Sequence, residues 1–246
     1  MSEPVTQRCG LPLLQPAQAQ KHVTVNEALM RLDGLVNLVL QSASLAAPPT
    51  AVTDGMCFAV PAAGSGAWAG KGGQIAIGTN GGWAFVAAQA GQRAWIADQG
   101  CHALWDGKAW VGGVQTLGLF GGAMIAGMAE GQVEVKAGTI TVTDVVIPPN
   151  VMVIGATARV VETIPGSATS WQLGHASLSG VSSPQQRFGQ GLGLDKGSYG
   201  MGLLGTPASF YAAMPLRLTA AGGSFAGGGK VRLSLHWLEL RVPAAT

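Results

Sequence analysis

The segment from residue 67 to Trp110 decides the fold of the N-terminal half of this chain. It contains AWAG (67–70), GGWAF (81–85), RAWIAD (93–98) and ALWDGKAW (103–110), and it holds five of the seven tryptophans. Asn-Gly and Asp-Gly dipeptides between short apolar runs are typical of β-hairpins. The segment therefore predicts a small β-module with a tryptophan core, since each ring buries ~200 Å². Exposed tryptophans that stack on sugars are the alternative.

The turn signals divide residues 50–111 into six predicted strands. These are Met56–Val60, Gln74–Ile77, Trp83–Ala87, Arg93–Ala97, Cys101–Trp105 and Ala109–Val111.

Upstream of this module, residues 1–23 predict an extended arm. Pro12 and Pro16 prevent a continuous helix, and Leu11, Leu13 and Leu14 form an apolar plug. An arm of this kind is able to dock on a partner subunit.

A helix is predicted to begin at Thr24, because Thr24 and Glu27 fit a capping box. The apolar positions then follow a heptad spacing, and they are Val25, Leu29, Leu32, Val36 and Val39. Two interpretations remain open at this point. The helix packs on its own domain, or it forms a short bundle with two other copies around a threefold axis.

Downstream, the Gly-rich residues 112–131 predict a domain boundary, either as a linker or as a short strand. From Gln132 onwards, runs of β-branched residues alternate with turns at Pro148-Pro149-Asn150 and Pro165-Gly166. About eight strands without a helix predict a β-sandwich or jelly roll. The predicted fold is thus mainly β, with segments 1–46 (arm and helix), 47–118 (Trp/Gly-rich module) and 119–246 (sandwich).

The composition excludes several classes of protein. Charged residues make up only 11% of the chain and the formal net charge is +2, so neither nucleic acid nor an anionic membrane is an expected partner. No apolar run approaches the ~20 residues that span a bilayer, and residues 1–10 do not resemble a signal peptide. Low charge with 48% hydrophobic residues favours an obligate oligomer. A monomer with a Ser/Thr/Gly/Gln surface is the alternative.

No catalytic constellation emerges from the sequence. Gly200, Gly202 and Gly205 match GxGxxG, but no strand–helix unit surrounds them. The histidines are isolated, and Cys9, Cys57 and Cys101 lack metal-ligand spacing. We therefore expect no metal, no cofactor and no enzymatic activity.

The stretch Ser167–Tyr199 is the predicted binding surface, because aromatic rings, planar amides and arginine together suit carbohydrates. The alternative places its aromatics in the core and its polar residues in solvated turns. The candidate ligand-binding residues are Trp171, Gln172, His175, Gln186, Arg187, Asp195 and Tyr199.

Several short segments of the sequence resemble segments of a known protein family. LPLLQPAQAQKHVTVNEALMRLDGLVNLVLQS (11–42), GSGAWAG (64–70), GQRAWIADQG (91–100) and LWDGKAWV (104–111) recur in order in alphaproteobacterial prophage and phage-like particle proteins. The usual Tyr after the Asp-Gly turn is replaced here by Cys57 or Phe58. The C-terminal half, with TARVVETIPGSATSWQLG (157–174), RFGQGLGL (187–194) and VRLSLHWLELRVP (231–243), resembles the sandwich often joined to it.

The chain thus resembles head-spike or fibre proteins of gene transfer agents, which bind capsular polysaccharide. The resemblance implies a homotrimer on the surface of a virion or phage-like particle. Its N-terminal part would attach to a capsid or fibre-base protein, and its C-terminal part would bind host polysaccharide. A polysaccharide depolymerase and a purely structural connector are the alternatives.

Overall fold

The computed structural model describes residues 4–14, 21–176 and 184–245, and for residues 21 and 22 it describes the backbone alone. The chain folds into two compact units, Met1–Leu117 and Gly118–Thr246. As predicted, the fold is mainly β, and the described residues contain a single α-helix near the N-terminus. No helix among the described residues is long and apolar enough to cross a membrane.

The first unit contains helix α1, Lys21–Leu35, and eight strands, seven of which form one sheet. The strands of the unit are β1 Val39–Leu40, β2 Cys57–Ala59, β3 Gln74–Thr79, β4 Gly82–Ala87, β5 Arg93–Ile96, β6 Cys101–Trp105, β7 Trp110–Gly112 and β8 Val114–Leu117. The sheet has the order β4-β3-β2-β1-β5-β6-β7, and β1 pairs in parallel with both of its neighbours. The predicted segments 1–46 and 47–118 therefore share one sheet, because β1 belongs to the first segment and lies between strands of the second.

Both faces of this sheet carry apolar clusters. On one face Trp68, fully buried, packs against Phe58 and Trp83 with ring centroids 5.4 Å away in each case. Trp105 is also buried, and it packs against Trp110 at 5.6 Å. Tryptophans thus form part of the core, whereas the cluster on the other face is mainly aliphatic, with Leu40, Ile75 and Ile77. Trp95 is 37% exposed on the sheet surface.

The predicted bounds of the helix were wrong at both ends. Helix α1 already includes Lys21, so Thr24 lies within the helix and does not form a capping box at its N-terminus. The segment from Lys21 to Thr24 contains no proline or glycine that would prevent the helix from beginning at Lys21. The helix ends at Leu35 because Asn37 adopts a left-handed conformation (φ 47°) and Val39 pairs with Trp95 in the sheet. Within the helix the heptad pattern consequently stops at Leu32, and Val36 lies in the turn that follows.

Residues 4–14, here called the N-terminal clasp, fold back on the C-terminal end of α1 in the same chain. The carboxylate of Asp33, which is fully buried, accepts hydrogen bonds from the Thr6 hydroxyl and from the amides of Arg8 and Cys9, at 2.8, 3.1 and 2.6 Å. The Arg8 guanidinium donates to the carbonyls of Asp33 and Gly34, which satisfies the end of the helix. The predicted extended arm is therefore wrong for these residues, while residues 1–3 and 15–20 lie outside the described part.

The second unit contains eight long or medium strands. They are β9 Ala123–Glu134, β10 Ile140–Ile147, β11 Val151–Glu162, β12 Ser170–His175, β13 Gly189–Leu192, β14 Tyr199–Phe210, β15 Met214–Ala221 and β16 Lys230–Arg241. Antiparallel pairs nest inside one another: β9 with β16, β10 with β15, β11 with β14, and β12 with β13. Successive nested pairs alternate between two sheets, the long sheet (β14-β11-β16-β9) and the short sheet (β10-β15-β12-β13). This connectivity is a jelly roll.

A single apolar core lies between the two sheets, with residues such as Val153 and Leu235 from the long sheet and Leu216 and Trp171 from the short one. Most of strand β9 was assigned to the Gly-rich segment in the sequence analysis. Packing favours glycine at two of these positions, because a Cβ on Gly127 would clash with the indole ring of Trp237 and one on Gly131 would lie 2.7 Å from a methyl group of Val145.

Candidate functional site

Strand alternation places a polar surface on the outer face of the long sheet. In each strand the inward positions enter the core, so the residues between them point to solvent. The register brings the outward positions of the four strands side by side: Tyr199 pairs with Arg159, and Arg159 with Arg232. Arg232 pairs in turn with Gln132 on β9.

These outward residues line an open groove of about 540 Å³, here called the sheet groove. Its side-chain lining consists of Glu130, Gln132, Thr157, Arg159, Tyr199, Met201, Arg232 and Ser234. Tyr199 is 63% exposed at one end, on strand β14, which is the edge strand of the sheet. The groove lies entirely within the second unit, on a rigid sheet rather than on loops.

Two interactions orient the polar groups of the groove. The Arg159 guanidinium lies 5.4 Å from the centre of the Tyr199 ring, within the range of a cation–π interaction. The Arg232 Nε donates a hydrogen bond to the Gln132 side-chain oxygen at 3.1 Å. Both arginines remain exposed, so their other N–H groups can bind a ligand.

At the end of the same face, the Lys230 ammonium donates to the Glu162 carboxylate at 2.8 Å. This hydrogen bond and the charge of Glu162 raise the pKa of Lys230. The pair is solvent-exposed, so it adds little to stability but fixes the charge pattern at the border of the groove.

The groove has the chemistry of a carbohydrate site. An exposed aromatic ring stacks on the apolar face of a sugar, while a guanidinium fork, a planar amide and hydroxyl groups bond to its hydroxyls. Among the described residues that line the groove, Glu130 alone carries a carboxylate.

Of the residues predicted from sequence, only Tyr199 lines this groove. Trp171 is 1% exposed, and its indole N–H donates to the Gly193 carbonyl at 2.9 Å. Its ring lies in the core between the two sheets and cannot stack on a sugar, because the inward side chains of β12 pack against the long sheet. The alternative interpretation, a core tryptophan, describes Trp171 correctly.

His175 is also fully buried, and its ring lies 5.1 Å from that of Phe210. Burial lowers its pKa, as do the positive charges of Arg187 and Arg217, against the opposing effect of the hydrogen bond between Nδ1 and the Ala176 carbonyl. The side chain is therefore neutral in the folded protein near pH 7. It is a core residue and does not contact solvent.

The other predicted residues are dispersed over the second unit. Gln172 lies half-buried on β12 with its backbone between β15 and β13. Gln186 is the last residue of the short 3₁₀ turn Pro184–Gln186, and Arg187 follows that turn. Asp195 is exposed in the turn between β13 and β14, where its carbonyl accepts from the Ser198 amide. Residues 177–183 of the predicted binding stretch lie outside the described part.

Sequence reasoning missed Glu130, Gln132, Thr157, Arg159, Arg232 and Ser234. The signal available for them was the period-two alternation of polar residues along three strands. That pattern shows that these residues face solvent, but it does not show which strands are neighbours.

Among the described residues, no group of three or more His, Cys, Asp or Glu side chains is placed to hold a metal ion. The three cysteines are free thiols, and burial raises the pKa of the Cys57 thiol to about 11.

Comparison with known proteins places one family model on the first unit. Residues 25–111 match the family described as "Protein of unknown function (DUF2793)". This match covers most of α1 and the strands from β1 into β7. No curated protein matches the chain.

Among solved structures, a chain described as "Cyanophage Pam1 capsid asymmetric unit" is similar to this one. The TM-score is 0.33 and the sequence identity is 16%, with 49% of this chain and 87% of that chain covered. A likeness at this level carries no functional argument. The segment 25–111 is thus similar to a family whose description assigns no activity.

Proposed function

We propose that the protein is a surface component of a phage-like particle, either a head spike or a fibre, that binds a host-cell polysaccharide through the sheet groove. The observation that supports binding is the row of Tyr199, Arg159, Arg232 and Gln132 across four neighbouring strands. The association with a particle rests on the sequence resemblance of residues 11–111 to proteins of gene transfer agents and prophages.

In this proposal the groove binds polysaccharide without cleaving it. Glycoside hydrolysis generally needs two carboxyl groups that flank the scissile bond. Glu130 is the one carboxylate among the described lining residues, and Glu162 is engaged by Lys230 outside the groove. These facts favour adhesion over depolymerisation.

The test of binding is affinity electrophoresis in gels that contain capsular polysaccharide. Tyr199→Ala should weaken retention about tenfold, on the order of 1.4 kcal/mol for an aromatic contact. Tyr211→Ala is the matched control, because Tyr211 is 82% exposed and does not line the groove. Equal retention of the two variants would refute the proposal for this groove. Shortened polysaccharide after incubation would instead favour the depolymerase.

The proposal also includes assembly as a homotrimer through helix α1. The heptad residues Val25, Leu32 and Val36 are 41%, 49% and 41% exposed. The helix contacts its own sheet with another face, where Gly34 lies so close to Ile77 that an added Cβ would be 2.8 Å from the Ile77 methyl. Within the described part of the chain, these three side chains, the apolar stripe of the helix, therefore remain partly exposed.

Copies of α1 are the occupants that fit this stripe. Glu27 and Arg31 lie beside it four residues apart, so opposite charges are available between adjacent helices. A helix of 15 residues is marginal by itself, and the bundle would be stabilised by the folded units that carry it.

Light scattering tests this part of the proposal. The wild-type mass should correspond to three chains, and Leu32→Lys should shift it towards the monomer. Leu45→Lys is the control, since Leu45 is 40% exposed but lies outside the helix. A monomeric wild type would refute the trimer. Deletion of residues 1–46 is unsuitable as a test, because it removes β1 from the centre of the sheet.

A further inference from the structure

We infer that the first unit carries a saccharide-binding site of its own, in a groove around Trp95, and that this site takes a pyranoside with a carboxylate, such as a uronic acid. This groove, the Trp95 groove, has a volume of about 480 Å³. That volume lies within the range of roughly 300–1,000 Å³ typical of small-molecule sites. The described lining extends from Asn37–Val39 over Arg93–Trp95 and His102–Leu104 to Val114 and Gln115.

An aromatic corner forms the centre of the groove. Trp95 on β5 and His102 on β6 are directly opposite in the antiparallel register. Their ring centroids lie 4.9 Å apart, and the ring planes meet at 76°. A flat sugar ring can stack on one ring of such a corner while the edge of the other donates or accepts a hydrogen bond.

Trp95 differs from the tryptophans that build the core of its unit. Trp68 is fully buried and Trp105 is 7% exposed, whereas Trp95 is 37% exposed. The neighbouring inward residues Ala94 and Ile96 already fill the core side of β5. The indole of Trp95 therefore contributes its surface to the outer face of the sheet, where burial against its own core does not explain it.

The charge of the groove selects the class of sugar. Arg93 precedes Trp95 by two residues on the same face of β5, so their Cα atoms lie about 7 Å apart. The described lining holds no carboxylate that would neutralise this guanidinium. A guanidinium fork binds a carboxylate in bidentate fashion, which places an acidic substituent of the sugar at Arg93 and its ring at Trp95.

Gln115 completes the polar side of the groove. Its side-chain N–H₂ donates to the Gly113 carbonyl at 3.0 Å, which orients the amide. The amide oxygen is then an acceptor for a sugar hydroxyl. Since every lining residue belongs to the first unit, the inference does not rest on the sheet groove of the second unit.

The test uses two probes that differ only at C6, methyl β-D-glucuronide and methyl β-D-glucopyranoside. Each is titrated into the ¹⁵N-labelled full-length protein while the tryptophan indole N–H signals are observed by NMR. Trp95→Phe assigns the signal of Trp95. We expect this signal to shift with both probes, and the glucuronide to bind at least fivefold more tightly.

Three variants separate the contributions. Trp95→Ala should abolish binding of both probes, followed in this variant by the side-chain amide signal of Gln115, which also lines the groove. Arg93→Gln should lower the affinity for the glucuronide to that for the glucopyranoside. Tyr199→Ala should leave both titrations unchanged, so the result is independent of the proposed adhesion site. The other indole signals report whether each variant is folded. Absence of a shift at Trp95, equal affinity for the two probes, or an unchanged preference in Arg93→Gln would overturn the inference.

Discussion

The N-terminal clasp depends on one buried carboxylate, and its replacement gives a quantitative prediction. In Asp33→Asn the retained oxygen can still accept from the Thr6 hydroxyl and the Cys9 amide. The new NH₂ group would face the Arg8 amide, which now donates to the second carboxylate oxygen. One charge-assisted hydrogen bond is therefore lost, and two others become neutral.

The energetic cost follows from these contacts. A hydrogen bond to a charged group contributes about 1.5–3 kcal/mol, and a neutral one about half as much. These values sum to about 3–6 kcal/mol for the closed clasp, and we take the lower end, about 3 kcal/mol. By the relation of 1.4 kcal/mol per tenfold change, the open population should rise on the order of 100-fold.

Hydrogen–deuterium exchange measured by mass spectrometry tests this expectation. Peptides that cover residues 4–14 should exchange on the order of 100-fold faster in Asp33→Asn, while those of β5 and β6 should be unaffected. Asp98→Asn, at an exposed position in a turn, is the control. Unchanged exchange of residues 4–14 in Asp33→Asn would show that the carboxylate does not hold the clasp.

Acid should open the clasp in the same way. Burial alone would raise the pKa of Asp33, but hydrogen bonds from the Cys9 amide, the Thr6 hydroxyl and the Arg8 amide together outweigh it and lower the pKa. The unfolded form therefore binds a proton more readily than the folded form. The stabilisation is complete above the unfolded value near 3.9 and is lost as the pH falls through the lower folded pKa.

Three further predictions concern the second unit, each measured by urea unfolding with tryptophan fluorescence. Gly127→Ala should destabilise it by about 1–3 kcal/mol, because the new Cβ would overlap Trp237, whereas Gly205→Ala, with no atom within 4 Å of its Cβ, should be nearly neutral. Trp171→Ala should cost about 3–5 kcal/mol, since it empties a fully buried site; a loss of less than 1 kcal/mol would contradict its place in the core. The pKa of His175 is lowered by burial and by the charges of Arg187 and Arg217, so stability should decrease as the pH falls below the unfolded value of about 6.5 towards the folded pKa. His175→Gln should remove this pH dependence, and its persistence would refute the assignment.

The local signals of the sequence predicted most strands of the first unit correctly. Cys101–Trp105 has the same bounds in the structure, and Gln74–Ile77 extends by two residues to Thr79. Hairpins are local, so their turn dipeptides suffice to locate them. Strand β1 was missed because Val39 and Leu40 form only two residues of strand, and their pairing with β2 and β5 involves distant segments.

The residues of the candidate binding site were much harder to predict from the sequence than the strands. Trp171, His175 and Tyr199 looked equivalent as aromatic residues in one polar stretch, yet two of them are buried and one is 63% exposed. The difference arises from strand phase, because a shift of one residue exchanges the two faces of a sheet. In β14 that phase is set by the register against β11, in which Tyr199 pairs with the outward residue Arg159.

By itself, the sequence determined the mainly β fold, the tryptophan core around Trp68 and the presence of one N-terminal helix. These properties follow from composition, turn chemistry and short-range periodicity, which act over a few residues. Only the tertiary structure decided that the clasp closes on Asp33, that Trp95 faces outwards, and that Arg159, Arg232 and Gln132 meet in one groove. Strand register and nesting bring together residues that are far apart in sequence, such as Gln132 and Arg232 at a separation of 100 positions, and no local pattern encodes such a pairing.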